Sequence, residues 1–286
     1  MELCSPTQIR ALLDRYGFRF SKSMGQNFLI DSSVPARIAE ASGADGTWGV
    51  LEIGPGIGAL TACLCRRAGK VTAVELDRSL EPLLAETVGQ YANLTLRFGD
   101  VMKADLPALL EETMPGMPRM VCANLPYNIT SPVLTKLIGS GLFDAVTVMI
   151  QREVARRICA GPGDGDYGAF SVFAAYHTEP KLLFDVPPSC FMPQPKVHSS
   201  VIRMEMRREK AVTVPDESLF FRVVRAAFAQ RRKTLLNALS AGFSRELTKQ
   251  QVEQAISACD LEPAVRGERL NLAEFAALSR QIGGLL

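Results

Sequence analysis

The sequence has no long apolar run, few histidines and no closely paired cysteines, and each shortage removes a class of protein. No hydrophobic stretch approaches the ~18 residues that cross a bilayer, so the sequence predicts no membrane association. The segment Met1 to Ser5 has neither a basic region nor an apolar core, so we expect a cytoplasmic protein rather than a secreted one. The 7 cysteines include no C-x-x-C pair and the 2 histidines lie far from any cysteine cluster, which predicts reduced thiols and no metal site.

The overall composition is that of an ordinary globular protein. The chain has 286 residues, 47% of them hydrophobic and 22% charged, which fits one large domain or a domain with an appendage. The net charge is only +2, but the stretch from Arg203 to Lys233 holds 9 basic residues against 4 acidic ones. This local excess favours a surface that binds a polyanion, and a solvated helix surface is the alternative.

Short apolar runs alternate with helical patterns in the first two thirds of the chain. The predicted strands are Gly49–Ile53, Lys70–Val74, Leu94–Phe98, Arg119–Ala123 and Ala145–Ile150. This alternation predicts an α/β fold whose mostly parallel, doubly wound sheet is covered by helices on both faces. After Arg208 the alternation stops, and short helices follow a linker at Val212–Pro215. We therefore expect one domain over residues 1–210 and a small helical domain over residues 211–286.

A polar feature follows each of four predicted strands: the loop Gly54–Gly58, Glu75, Asp100 and Asn124. Ligands of parallel sheets bind outside the carboxyl ends of the strands, so these features are expected to lie together. A glycine loop directs helix N–H groups at a ligand, Glu75 is spaced to bind ribose hydroxyls, and Asp100 suits an adenine amino group. The alternatives are a surface acid for Glu75 and a turn residue for Asp100. The loop alone also fits a nicotinamide dinucleotide.

The turn Asn124-Leu125-Pro126-Tyr127 is an unusual way to leave a sheet. Pro126 has no N–H and forces Leu125 into an extended geometry, so the turn presents a side-chain amide, free carbonyls and one phenol ring. These groups fit an exocyclic amino group on a flat base, whereas the simpler interpretation is a proline loop whose Asn caps a backbone amide. Neither histidine follows a predicted strand, so no acid or base for hydride transfer is at hand. Methyl transfer from S-adenosylmethionine, which needs mainly positioning, therefore fits better than redox chemistry.

Eight segments together resemble one known family. They are Gly25–Leu29, Glu52–Gly58, Val74–Asp77, Gly99–Asp100, Asn124–Tyr127, Asp166–Gly168, Phe191–Val197 and Phe228–Lys233. In these segments the chain resembles the KsgA/RsmA family, the ribosomal small-subunit RNA adenine N6,N6-dimethyltransferases. The resemblance covers nearly the whole chain. It implies a Rossmann-like S-adenosylmethionine-dependent methyltransferase sheet with a small C-terminal helical domain that docks RNA.

The resemblance also implies a role for each site residue. Asn27 and Leu29 close over S-adenosylmethionine, and Gly54 and Gly56 lie beneath it. Glu75 binds the ribose of the cofactor and Asp100 its adenine, and Asn124 also contacts the cofactor. Asn124, Leu125 and Pro126 hold the target amino group, while Tyr127 and Phe191 pack on the two faces of a flipped adenine. The expected phosphate contacts are Lys196, Arg225, Arg231, Arg232 and Lys233, although Lys196 also fits a solvated loop lysine.

The implied activity is the dimethylation of two adjacent adenines in a loop near the 3′ end of 16S rRNA, by a monomer acting on the small ribosomal subunit during ribosome biogenesis. Two other functions stay open. One is the large-subunit adenine methyltransferase of the macrolide-resistance type, which shares the glycine loop and an Asn-x-Pro-aromatic turn. The other is a ribosome assembly factor without catalysis. One residue departs from the family pattern, because His198 stands where the family commonly has an acid.

Overall fold

The structure is a computed structural model that describes residues 2–19, 26–230 and 232–286. Contacts between residues divide the chain into two compact units. The first comprises Met1–Ala155 and Lys181–Met206, and the second comprises Arg156–Pro180 and Arg207–Leu286.

Strands and helices alternate in the first unit and helices dominate the second. Within the described residues the strands are β1 (Phe28–Leu29), β2 (Gly49–Ile53), β3 (Lys70–Glu75), β4 (Leu94–Phe98), β5 (Arg119–Asn124), β6 (Ala145–Gln151), β7 (Thr178–Val186), β8 (Phe191–Met192) and β9 (Ser199–Met206). The helices are α1 (Pro6–Arg15), α2 (Ser33–Ala41), α3 (Ala59–Cys65), α4 (Glu81–Val88), α5 (Leu106–Thr113), α6 (Thr130–Gly139), α7 (Arg152–Cys159), α8 (Ala169–His177), α9 (Glu217–Phe228), α10 (Leu235–Gly242), α11 (Lys249–Ser257) and α12 (Leu272–Gly283).

The main sheet has seven strands in the order β4-β3-β2-β5-β6-β9-β7. Strands β2 to β6 run parallel to one another, and β9 pairs antiparallel with β6. The strand order reverses beside β2, because β3 and β4 lie on one side of it and β5 and β6 on the other. Such a reversal is where a Rossmann-like sheet opens a crevice for ligands at the carboxyl ends of its strands.

The apolar runs that predicted the strands are buried in the sheet. All residues of β2 are buried, and so are the first six residues of β6, as expected of strands covered on both faces. Apolar side chains of α2 and α3, such as Ile38 and Leu64, pack with Val50, Met120 and Met149 of the sheet. A separate cluster joins α1 and α4 to the residues that follow β2.

The helical unit has its own apolar core. Its largest fully buried side chains are Tyr176, Phe220, Phe243 and Phe275. Asp216, Thr234, Thr248 and Asn271 cap the amino ends of α9 to α12, each accepting a hydrogen bond from a backbone N–H in the first turn. No described helix of the chain is long and apolar enough to cross a membrane.

The predicted strands agree with the structure to within one residue at each end. The antiparallel strands β7 and β9 and the short pair β1 and β8 have no counterpart in the prediction. Residues 156–180 cluster with the helical unit, whereas the sequence placed them in the first domain. The physical reason is that Tyr167 and Tyr176, which carry no distinctive sequence signal, belong to the core built around Phe220.

Candidate active site

One cavity opens at the carboxyl end of the parallel strands, and its walls belong to the first unit. Every residue that was predicted to bind the cofactor or the target base lines it. These residues are Asn27, Leu29, Gly54, Gly56, Glu75, Asp100, Asn124, Leu125, Pro126, Tyr127 and Phe191. The structure thus brings them together, although their individual roles stay predictions.

The floor of the cavity is the glycine loop between β2 and α3. Gly54, Gly56 and Gly58 have φ angles of 69°, 59° and 89°, which side-chain-bearing residues rarely adopt. A Cβ atom on Gly56 would also lie 3.1 Å from the ring of Phe28. The loop therefore needs glycine for its backbone conformation and for the close packing of Phe28 against it.

Glu75 ends strand β3 and is only 7% exposed. One carboxylate oxygen accepts a hydrogen bond from the Asp77 backbone N–H at 2.9 Å, and the other accepts one from the Gly56 N–H at 3.3 Å. Burial raises the pKa of this carboxyl, and the two backbone hydrogen bonds oppose that rise. The carboxylate is thus fixed beside the glycine loop, with lone pairs left to accept from ligand hydroxyls.

Asp100 follows strand β4 and is held by its own loop. One carboxylate oxygen accepts from the Met102 backbone N–H at 2.9 Å, and its backbone carbonyl accepts from the N–H groups of Lys103 and Ala104. In the described part of the chain, no other group donates a hydrogen bond to this carboxylate. The second oxygen is therefore left to accept from an amino group.

The turn after β5 presents acceptor groups to the cavity. The Leu125 N–H donates to the Met149 carbonyl at 3.1 Å, while the Pro126 carbonyl accepts from the N–H of Ile129 and the hydroxyl of Thr130. Among the described residues nothing hydrogen-bonds the Asn124 side chain or the Leu125 carbonyl. An amide oxygen and a backbone carbonyl are therefore available at the same turn.

Two aromatic side chains line the same cavity as these acceptors. The half-buried Tyr127 places its hydroxyl 2.7 Å from the hydroxyl of Ser199, the buried first residue of β9. Burial raises the pKa of Tyr127, and the hydrogen bond with Ser199 lowers it. Phe191 is only 3% exposed and begins β8. The tie to Ser199 fixes the tyrosine ring without any contribution from a ligand.

A strap of residues 26–29 lines the cavity. Its Leu29 pairs with Phe191 and its Phe28 with Met192 in the short antiparallel ladder of β1 and β8. At the other end of the strap, the Gln26 side chain donates to Asp77 at 2.9 Å. The strap thus joins the acidic end of β3 to the segment that carries Phe191.

Glu52 is a cavity-lining acid to which the sequence reasoning gave no role. It is 1% exposed, and its Oε2 atom has no hydrogen-bond partner within the described residues. Burial raises its pKa to about 8; the nearby Thr61 hydroxyl opposes this rise, and the neighbouring Glu75 adds to it. The one available signal was its place within the segment Glu52–Gly58, where an acid stands inside an otherwise apolar strand.

The predicted RNA-contacting residues do not line the cavity. Lys196 lies in the first unit, and Arg225, Arg232 and Lys233 lie in the second; all four are exposed, and no described carboxylate lies within 4.0 Å of them. Arg231 lies outside the described residues. Other basic residues of the same stretch are engaged locally, since Arg203, Arg207 and Arg222 pair with Glu205, Glu179 and Glu246 respectively.

The exposed His198 uses its backbone carbonyl to accept from the Arg152 N–H at 3.0 Å, so this contact does not depend on the side chain at that position.

Among the residues that the structure describes, no group of three or more His, Cys, Asp or Glu side chains could hold a metal ion. All 7 cysteines are free.

Comparison with known proteins gives a consistent result. A sequence model of the family described as ribosomal RNA adenine dimethylase matches residues 17–277. The chain is 48% identical to "Ribosomal RNA small subunit methyltransferase A" of Geobacillus thermodenitrificans (strain NG80-2), with 98% of this chain and 97% of that protein covered. It is also 48% identical to the protein of the same name from Shouchella clausii (strain KSM-K16), covering 97% of this chain and 95% of that protein.

Solved structures share the fold. The crystal structure of the 23S rRNA methyltransferase ErmE superposes with a TM-score of 0.67 at 25% identity, covering 90% of this chain and 99% of that one. The crystal structure of a dimethyladenosine transferase from Plasmodium falciparum gives a TM-score of 0.75 at 24% identity, covering 90% and 97%.

The burial of Glu52 predicts a pH dependence of stability. Its pKa is raised from 4.5 to about 8 on folding, so the native state binds more protons than the unfolded state between these values. The contribution of Glu52 to the free energy of unfolding is fully present below pH 4.5 and is lost as the pH rises to about 8. We expect Glu52→Gln, a neutral isostere, to remove a slope of at most about 1.4 kcal/mol per pH unit.

Urea unfolding at several pH values between 5 and 8 measures this slope, with the exposed Glu253→Gln as the matched control. The control should keep the slope of the unaltered chain. If the slope of Glu52→Gln equals that of the unaltered chain, the carboxyl of Glu52 is ionised in the native state throughout this pH range.

Proposed function

Because the chain belongs to the ribosomal RNA adenine dimethylase family, we propose that it transfers methyl groups from S-adenosylmethionine to N6 of two adjacent adenines near the 3′ end of 16S rRNA. The small-subunit name of its relatives at 48% identity supports this substrate. The observation that carries the proposal is one cavity lined both by the acidic acceptors and by the Asn124–Tyr127 turn. All of the proposed site residues come from one chain, and we propose a monomeric enzyme that acts on small subunits as they assemble in the cytoplasm.

The residues on the cofactor side fit S-adenosylmethionine. That molecule carries two cationic groups, ribose hydroxyls and an adenine amino group. Glu52 has a buried carboxylate oxygen without a partner among the described residues, which suits a cation, and Glu75 and Asp100 have oxygens left to accept from hydroxyl and amino groups. Gly54 and Gly56 keep side chains out of the floor, so the ligand can lie against the backbone.

The target base occupies the other side. Adenine N6 donates its N–H groups to the Asn124 amide oxygen and the Leu125 carbonyl, while Pro126 fixes the turn and contributes no competing N–H. Tyr127 stacks on one face of the base and Phe191 packs on the other. An adenine in an exposed RNA loop reaches this position at a lower cost than one inside a duplex, because less pairing and stacking is lost.

The chemistry relies on positioning. S-adenosylmethionine, when bound, supplies an electrophilic methyl group on a sulfonium. The two oxygens at the turn orient the N6 lone pair towards that methyl carbon, and they stabilise the positive charge on N6 until its proton passes to water. Tyr127 and Phe191 keep the base from rotating. Such positioning supplies on the order of 7–11 kcal/mol of barrier reduction.

The two units have different proposed functions. The sheet-containing unit, with Asn27 and Leu29 in its strap, is the S-adenosylmethionine-binding catalytic domain. The helical unit is the RNA-docking domain, and its exposed Arg225, Arg232 and Lys233 suit phosphate contacts rather than base recognition. Arg231 belongs to the same basic stretch in the sequence, and the exposed Lys196 of the first unit adds a further cation.

Two other functions fit less well. The large-subunit methyltransferase ErmE shares the fold at 25% identity, well below the 48% of the small-subunit relatives. A non-catalytic assembly factor would have no need of the full set of acceptors around the cavity. The deciding experiment is a labelled-methyl transfer assay on under-methylated small subunits, with large subunits as the control. Methylation of large subunits alone would contradict the proposed substrate.

Asn124 provides the sharpest test of the reaction. We expect Asn124→Ala to lower kcat by at least about 100-fold, because an oriented hydrogen bond to the reacting amino group is lost. The melting temperature should change little, since a strand-end polar group contributes little to the core. Asn237→Ala, at an exposed position of the helical unit, is the matched control and should retain full activity. A normal methylation rate in Asn124→Ala would disprove its contact with the amino group.

The RNA-docking proposal predicts a salt dependence. Affinity for small-subunit RNA should fall steeply with salt, and charge reversal of Arg225, Arg232 and Lys233 together should reduce the slope of log K against log salt by about 2 to 3. Reversal of three exposed cations elsewhere, at Arg10, Lys70 and Lys249, gives the same net charge and should leave the slope nearly unchanged. Equal slopes for the two triple variants would assign the basic stretch to an ordinary solvated surface.

A further inference from the structure

The backbone N–H groups and the backbone carbonyls of the loop that carries Asp100 bind to two different partners. Its N–H groups turn towards Asp100, which accepts from Met102 through its side chain and from Lys103 and Ala104 through its backbone carbonyl. Several of its carbonyls point the other way. Those carbonyls need donors, because an unsatisfied backbone oxygen costs free energy where water has limited access.

A single side chain supplies these donors. The Nζ atom of Lys136, on α6, lies 3.0 Å from the Val101 carbonyl, 2.9 Å from the Met102 carbonyl and 3.0 Å from the Ala104 carbonyl. An ammonium has three N–H donors, and all three are used here. Within the described residues Lys136 forms no ion pair, so its charge serves the loop carbonyls alone.

Lys136 lies on the helix that follows the Asn124–Tyr127 turn, so its contact links the Asp100 loop to that turn. Helix α6 starts at Thr130, three residues after Tyr127, and Lys136 lies in its last turn. A helix is a rigid rod that rises about 1.5 Å per residue, so Lys136 ties the loop of Asp100 to a point roughly 9 Å along the rod that leaves the target-base turn. The loop is thereby fixed relative to Asn124 by a side chain that itself lies outside the cavity lining.

We propose that Lys136 is a positioning residue for recognition of the cofactor's adenine, because it holds the 101–104 carbonyls so that Asp100 meets the adenine amino group. This inference rests on the proposed function. Lys136 does not touch the cofactor; it fixes the loop whose N–H groups orient the Asp100 carboxylate. Without the ammonium, three converging carbonyl dipoles repel one another and the loop loses its single conformation.

The chemistry of the contact distinguishes lysine from arginine. The three carbonyls converge on one atom, which a tetrahedral ammonium matches and a planar guanidinium does not. Lys136→Arg keeps the positive charge but replaces the tetrahedral ammonium with a planar guanidinium. Lys136→Met keeps the length of the side chain but removes the hydrogen-bond donors. We expect both variants to lose the preference for a ligand with the adenine amino group. If only the charge of Lys136 mattered, Lys136→Arg would keep that preference.

The test compares two ligands that differ at one group. S-adenosylhomocysteine has the adenine amino group, and its unsubstituted purine analogue has a hydrogen in its place. We expect the unaltered chain to prefer S-adenosylhomocysteine by about 10- to 100-fold, the range of one hydrogen bond to a charged group. In Lys136→Met and Lys136→Arg this ratio should fall to within about threefold, with S-adenosylhomocysteine binding about 10-fold more weakly.

Isothermal titration calorimetry on the full chain measures both dissociation constants. The control is Lys103→Met, which removes an exposed lysine from the same loop and should keep the ratio of the unaltered chain. If Lys136→Met does not fold, Lys136→Arg alone decides the question. A ratio that stays at its original value while both affinities fall in parallel would overturn the inference, since that is the behaviour of a general structural residue.

Two further outcomes separate the inference from its premise. Unchanged affinities in both Lys136 variants would overturn the inference and leave the proposed function intact. Absence of S-adenosylhomocysteine binding by the unaltered chain would overturn the proposed function, and the inference with it.

Discussion

In-register pairing of parallel strands is the constraint on which the site depends. Ile53 pairs with Val74, Glu75 with Phe98 and Asn124 with Met149, so strands β2 to β6 end at neighbouring levels of one sheet. Each loop therefore leaves the sheet at the same edge. A shift of one residue in any pairing would turn its side chains to the opposite face and move an acidic or amide group out of the cavity.

A second, much smaller pairing closes the site. Only two residues of β1 pair with two of β8, yet they bring the strap of residues 26–29 against Phe191. The strap also holds Asp77 through Gln26, and Asp77 in turn donates its backbone N–H to Glu75. The groups proposed to bind the cofactor and those proposed to hold the base thus share one continuous set of contacts. This arrangement explains how a site built from loops is fixed.

The fold was largely predictable because its central strands are apolar runs separated by glycine and polar turns, as in Gly49–Ile53 and the loop that follows it. The cavity was predictable for the same reason, since strand ends in a parallel sheet meet at one edge. The pairing of β1 with β8 was not predictable, because Leu29 and Phe191 are 162 positions apart and two-residue strands have no periodicity. Contacts such as those of Lys136 and Ser199 were missed because a helix lysine and a strand serine have no sequence signal of their own. Residues 156–180 were placed in the first domain because a tyrosine in a sequence predicts a buried side chain but does not indicate in which of two cores it is buried.

The central claim is that the carboxyl edge of the parallel strands holds a methyl donor beside a target adenine. A crystal structure of the chain with S-adenosylhomocysteine tests it most directly. We expect the adenosine to lie across that edge, with the ribose hydroxyls at Glu75, the adenine amino group at Asp100 and the sulfur directed towards Asn124. Binding of S-adenosylhomocysteine at any other surface, or in this cavity with its adenine at the Asn124–Tyr127 turn, would contradict it.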